Sequence, residues 1–192
     1  MNAEPSFLRT HKLLAEHGRV LTELNKTLDL TYDPAVSMIS RTLAEGHKLL
    51  VCGNGGSAMQ AQHMAAEFVV RFETDRRALA CIALSADAAV LTACGNDYGF
   101  ERVFSRQVEA LGVAGDCLIA FSTSGTSRNV NEAVLVARNK GLVTLGISGR
   151  KGFTSGPDVD IIVPSVSTAR IQEMHLLIVH VLLDGVERTV PA

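Results

Sequence analysis

Apolar positions in the first 30 residues recur at threes and fours: Phe7, Leu8, Leu13, Leu14, Val20, Leu21, Leu24 and Leu28. The spacing predicts an amphipathic helix that precedes any strand and need not belong to a sheet. Its apolar stripe would pack on the domain or on a partner subunit. A new helix is predicted over "TYDPAVSMISRTLAEGHK", with Asp33 as N-cap, Pro34 at the first position and Gly46 at the end. Short apolar runs then alternate with helical ones. "KLLVCG" reads as a strand, Ser57 to Arg71 as a helix and "LACIAL" as a second strand, followed by helical Ala86–Cys94 and Gly99–Leu111. "DCLIAFS" is a third strand leading to a helix across Arg128–Lys140. "LVTLGIS" is a fourth strand, "VDIIVP" a fifth, and a last amphipathic helix covers Ala169–Arg188.

Near-continuous apolar strands alternating with helices imply an α/β, three-layer sandwich around a five-stranded parallel sheet. Ligands of such sheets sit at the carboxyl ends of the strands. No linker or low-complexity segment divides the chain. One domain spanning residues 1–192 is expected, with residues 1–30 as a helical arm.

Composition narrows the function classes. A formal net charge of -2 supplies no basic field to attract nucleic acid or an anionic membrane. No 18-residue apolar run is present, and the charged N-terminus lacks the apolar centre of a signal peptide, so a cytoplasmic protein is expected. The four cysteines show no CxxC spacing; Cys52, Cys81 and Cys117 fall in predicted strands and read as small buried residues of a reduced chain.

Two loops share one design. "VCGNGGSAMQ" runs from strand through Asn54, Gly55, Gly56 and Ser57 into a helix, and "IAFSTSGTSRNV" repeats the plan with Ser122, Thr123, Ser124, Gly125, Thr126 and Ser127. Small residues let a ligand approach the backbone at a helix N-terminus, where free amides favour an anion. Small residues also simply turn and cap, so either loop alone decides little. Two at equivalent positions in one sheet point to phosphate or sugar. Neither is followed by GK[ST], neither matches GxGxxG, and a nucleoside triphosphate or dinucleotide is disfavoured.

Polar groups inside apolar helices carry the remaining signal. "AQHMAAEFVV" holds His63 and Glu67, which four-residue spacing places on one helix face, about 6 Å apart along the axis. "RIQEMHLLIVHVLLDGVER" holds Gln172, Glu173, His175 and His180, and the apolar neighbours of His180 predict its burial. Spacing leaves a metal site and acid–base chemistry both open. Burial of Glu67 and His180 would bring both toward a useful titration range. Gln172 and His180 lie about 12 Å apart along their helix. Both reach one centre only by leaning together or from different subunits.

The ordered set "CGNGGSAxxAxH(x)3E", "GNDYGF", "STSGxSxNV" and "RIQExHxxxxH" resembles the bacterial phosphoheptose isomerases, which act on sedoheptulose 7-phosphate and have the sugar isomerase (SIS) fold. The resemblance runs from about Gly46 to the C-terminus. It implies that Asn54, Gly55, Gly56, Asn96, Asp97, Ser122, Thr123, Ser124, Ser127 and Gln172 hold the sugar phosphate, with Ser57 joining at the phosphate and Glu67 also facing the substrate. It implies Glu67 and His180 as the acid–base pair, and one zinc ion per subunit near His63, Glu67, Gln172 and His180. A homotetramer with active sites between subunits, built partly by the N-terminal helix, is implied as well. The implied reaction moves a carbonyl between C2 and C1 through an enediol or enediolate, giving D-glycero-D-manno-heptose 7-phosphate. That is the first step toward ADP- or GDP-heptose for lipopolysaccharide or other heptose-containing products. Whether Glu67 is base, ligand or both is left open.

Two departures from the family pattern stand out. Gln60 occupies a position where the family often has Asp, and "SGRKGF" (148–153) replaces a common "GxDGG". That loop is expected to differ in shape and is assigned no catalytic residue. The rival reading is a non-catalytic SIS module, a sugar-phosphate sensor or a replication-initiator-associating protein. Those relatives keep "GNGGSA" and "ARIQEMH" but lack the carboxylate and histidine present here as Glu67 and His180. An aminosugar isomerase or deaminase of this fold fits less well, because such relatives often carry a second domain.

Overall fold

Five apolar runs, the central three fully or mostly buried, form one parallel sheet in a computed structural model that describes residues 6–189. The strands are β1 (Leu49–Gly53), β2 (Cys81–Ala83), β3 (Cys117–Ser122), β4 (Val143–Ser148) and β5 (Val159–Ile162), in the order β2-β1-β3-β4-β5. Around them run α1 (Ser6–Ala44), α2 (Gly56–Val69), α3 (Ala88–Tyr98), α4 (Ser105–Leu111), α5 (Arg128–Asn139) and α6 (Thr168–Glu187). Every residue of β1 and β3 is buried, as strands covered on both faces require. Alternation within those strands feeds two cores. Leu49, Val51, Ile119 and Phe121 face α1, α2 and α6, whereas Leu50, Cys52, Leu118 and Ala120 face α3, α4 and α5. All four cysteines are free and buried, as expected.

The strand order reverses between β1 and β3, whose register runs from Leu49↔Cys117 to Gly53↔Phe121. Crossovers leave in opposite directions there, opening a crevice beyond the carboxyl ends of the two strands. Both glycine- and hydroxyl-rich loops emerge at this crevice.

The expected break before Pro34 does not occur. One 39-residue helix includes Pro34 in its interior. A proline there removes the N–H that would bond Leu30 and costs about 3 kcal/mol in isolation. The buried stripe runs through it, with Val20 and Leu24 on one side and Ala35, Val36, Ile39 and Leu43 on the other. Burying those side chains outweighs the lost bond. Gly46 ends the run as predicted, at φ +83°. The region predicted as one helix from Gly99 instead breaks into a 3-10 turn (Phe100–Arg102) and α4, after Gly99 adopts φ +87°.

Candidate active site

Asn54 and Asn129 join the two loops at the crevice. The Asn54 side-chain amide donates to Asn129 Oδ1 (2.8 Å), and the Asn129 amide donates back to Asn54 Oδ1 (2.9 Å). Gly55 caps α2 at φ +54° and Ser127 caps α5, both without a side-chain bond to the helix; Asn54 O and Gly55 O take the Ser57 and Ala58 amides of α2, so it is α5 that leaves first-turn amides for a ligand. Within the second loop, Ser122 Oγ lies 3.1 Å from Ser127 Oγ and 3.5 Å from Ser124 Oγ, and it accepts from Gly125 N–H (3.1 Å). Thr126 donates from backbone and hydroxyl to Ser124 Oγ (3.2 and 3.1 Å). Asn131, unassigned from sequence, holds this loop from behind. Its amide donates to Gly125 O and Ser127 O, and its oxygen accepts from Thr154 Oγ1 and Ser155 N–H.

A cavity of about 340 Å³ opens over this loop, lined by Thr123, Ser124, Thr126, Arg150, Lys151 and Thr168 among others. A larger cleft of about 730 Å³ lies between α1 and the segment 164–166 but contains none of these loop hydroxyls. Chemistry rather than volume singles out the smaller one. Arg150 and Lys151 escaped the sequence reading, although two adjacent cations after a strand's carboxyl end were the available signal.

The polar groups on α2 and α6 meet. His63 Nε2 lies 3.0 Å from His180 Nε2, and His63 Nδ1 lies 3.7 Å from Glu67 Oε1. Phe72 stacks on the His180 ring with centroids 5.5 Å apart. The two helices are also tied by Gln60, whose amide donates to Gln172 O (2.6 Å), a bond an ionised aspartate could not make. At the C-terminal end of α2, buried Glu187 accepts from Phe72, Glu73 and Thr74 N–H, the Thr74 hydroxyl and Arg76 Nε. Arg76 also donates to Glu67 O and Phe68 O. This network folds the segment carrying Phe72 over His180.

Burial differs from expectation. The side chains of His63 and Glu67 are 37% and 23% exposed, and His180 is only half-buried. The fully buried histidine of α6 is His175, packed against Phe121 at 5.7 Å between ring centroids. The buried face of α6 runs through Ile171, Met174, His175, Ile178, Val179 and Leu182, and His180 stands at its edge. Burial pushes the His175 pKa down to about 4, with the Ser148 backbone pulling weakly the other way. Neither ring nitrogen makes a well-formed hydrogen bond.

Other expected site residues lie apart within one chain. The Gln172 amide occupies the place of the side chain that Gly56 lacks, with Nε2 2.3 Å from where a Cβ would stand. Gly56 is seven residues before His63, about 10 Å along α2. Asn96 and Asp97 occupy the exposed last turn of α3 and bond to each other (2.8 Å).

The donor set fits zinc in part. Two imidazoles on one tetrahedral zinc, each at about 2.0–2.1 Å, would stand about 3.3 Å apart. The 3.0 Å between His63 and His180 nitrogens is close to that. Imidazole and carboxylate are fitting ligands. Among the described residues, however, no group of three His, Cys, Asp or Glu side chains gathers into a metal-holding cluster. One chain thus presents two of the four expected donors at a common point, with Glu67 adjacent and Gln172 distant.

The SIS domain family model matches residues 13–149. The phosphoheptose isomerase of Citrifermentans bemidjiense is 50% identical over 177 residues, 91% of this chain and 92% of its own. That of Geobacter sulfurreducens is 49% identical over 172 residues, 88% of this chain and 91% of its own. The solved phosphoheptose isomerase of Neisseria gonorrhoeae superposes with a TM-score of 0.87 at 42% identity, covering 94% of this chain and 97% of that one. With the family model over most of the chain and these relatives over about nine-tenths of it, the chain belongs to the phosphoheptose isomerase family of SIS domain proteins.

Proposed function

We propose that this protein is an aldose–ketose isomerase that converts sedoheptulose 7-phosphate to D-glycero-D-manno-heptose 7-phosphate, and that it works in the cytoplasm. The observation that carries the reading is the meeting of Glu67, His63 and His180 on facing helices of a phosphoheptose isomerase chain.

The hydroxyls of Ser122, Ser124, Thr126 and Ser127, with the α5 amides, take the phosphate. Binding energy from that remote end aligns C1 and C2 with the acid–base groups. The Glu67 carboxylate removes the proton from C1 of the ketose, giving the enediol, and a proton returns to C2. His180 moves protons at the two oxygens, with Phe72 fixing its ring. His63, Glu67 and His180, joined by Gln172, would hold a zinc ion, which would polarise the carbonyl and stabilise charge on its oxygen.

Glu67 is eleven residues beyond Gly56, about 16 Å along α2, longer than an extended sugar from C2 to its phosphate. That supports a homotetramer in which the phosphate loop and the acid–base pair of one site come from different chains. Exposed Phe7, Leu8, Leu13 and Leu14 on α1 offer an apolar surface for such assembly.

Purified protein incubated with sedoheptulose 7-phosphate and followed by NMR is expected to form the aldose. Glu67→Gln and His180→Ala should each lower kcat by about 10²–10⁴-fold. Tight binding without turnover would contradict the isomerase and leave a sugar-phosphate sensor.

A further inference from the structure

The cavity over the second loop is unevenly charged. Thr123, Ser124, Thr126 and Thr168 line it with neutral hydroxyls, Arg150 and Lys151 add two positive charges, and no carboxylate lines it. Among the described residues, neither cation has an ion-pair partner. Both side chains are exposed, and Arg150 also borders the larger cleft beside Glu16 and Glu23.

Their backbone, by contrast, is fastened beside the hydroxyl loop. A Cβ on Gly125, which has φ +70°, would stand 1.7 Å from Gly152 O, and one on Gly149 would stand 2.2 Å from Thr123 O. The two turns therefore pack backbone to backbone. Thr154 N–H donates to Gly125 O (3.2 Å), Arg150 N–H to Ser165 O (3.2 Å) and Phe153 N–H to Asp160 Oδ2 (2.8 Å), which completes the attachment. Exposed cationic side chains on a fixed backbone, beside neutral donors, form a site for a doubly charged anion. Hydroxyls and amides can bond a phosphate, but only Arg150 and Lys151 in this cavity can neutralise it.

We propose that Arg150 and Lys151 add charge recognition to the anion site, binding the phosphate end of the substrate and raising this chain's affinity for it. The proposal rests on the sugar-phosphate reading above and extends it to residues outside the loop hydroxyls.

Two measurements on the intact protein test it: titration with inorganic phosphate by calorimetry, and steady-state kinetics on sedoheptulose 7-phosphate. The variants are Lys151→Asp and the double Arg150→Ala/Lys151→Ala, with Lys26→Ala on α1 controlling for net charge. The double variant should weaken phosphate binding and raise KM by about tenfold, with kcat within about twofold of wild type. Lys151→Asp should do so by more, and the fall of wild-type kcat/KM with added salt should flatten in both. Unchanged phosphate affinity and KM would overturn the proposal. So would a loss of kcat at unchanged phosphate affinity, which marks a structural role. Phosphate titration needs no turnover. Binding that depends on Lys151 in a wild-type protein that isomerises nothing would uphold the cation assignment while removing the isomerase.

Discussion

Gly56 shows how a single missing methyl group can place the side chain of a candidate site residue. The Gln172 amide lies where a Cβ would be, so alanine there must push it aside. The displaced atoms end a flexible chain, and Gly56 opens a helix where alanine is favourable, so stability should change by less than about 1 kcal/mol. Gly56→Ala is therefore expected to cost activity far beyond stability, read as a kcat/KM drop at an unchanged melting temperature. A large loss of melting temperature would contradict that placement. The pairing of His63 with Glu67 was legible because a four-residue step on a helix puts them on one face. The contact with His180, 117 positions away, was legible only through resemblance, since nothing in local spacing brings α6 to α2. The burial assigned to His180 belongs to His175. A run as apolar as "HLLIVHVLL" hides which of its sides faces the core.

At the scale of elements, the strands were readable because parallel strands covered on both faces have no polar side to blur them. At Pro34 of α1 the tertiary gain overrides the local rule for proline. The stripe from Val20 to Leu43 packs across it, and Gly185 on α6 admits the Tyr32 hydroxyl of α1 at a point where a Cβ would stand 2.4 Å away. Equally unreadable was the tie between the ends of α2 and α6. Arg76 and Glu187 are 3% and 7% exposed and bonded at 3.1 Å. Burial alone would raise the Glu187 pKa, but the N–H groups of Thr74, Phe72 and Glu73 and the Thr74 hydroxyl hold it below the ordinary carboxylate range. Removing one partner strands a buried charge. Glu187→Gln should cost about 3 kcal/mol in denaturant unfolding and release the segment carrying Phe72, lowering kcat. An effect below about 1 kcal/mol would show that water reaches the pair.

The molecule as a whole is organised by the reversal of strand order between β1 and β3, which brings two loops 70 residues apart in sequence to one crevice. The alternation of strands and helices made that crevice predictable. The cavity wall from Arg150 and Lys151 was not, because it depends on how the turn after β4 packs on the loop after β3. Stability of the whole fold should respond to pH through His175. The unfolded chain protonates this ring near 6.5 and the folded chain near 4, so the unfolded state holds more protons between those values. Stability is then fully present above about pH 6.5 and falls by roughly 3 kcal/mol toward pH 4. Unfolding curves across that window should show the slope, and His175→Leu should flatten it; an equal slope in both would contradict the assignment. The central claim is that this fold moves a proton between C1 and C2 by way of Glu67. The most direct measurement is isomerisation of sedoheptulose 7-phosphate in deuterated water, with the label located by NMR. Wild-type protein should form the aldose, with deuterium at C2 to the extent that the proton held by Glu67 exchanges with solvent, and Glu67→Gln should give neither label nor product. Turnover that survives Glu67→Gln would contradict it.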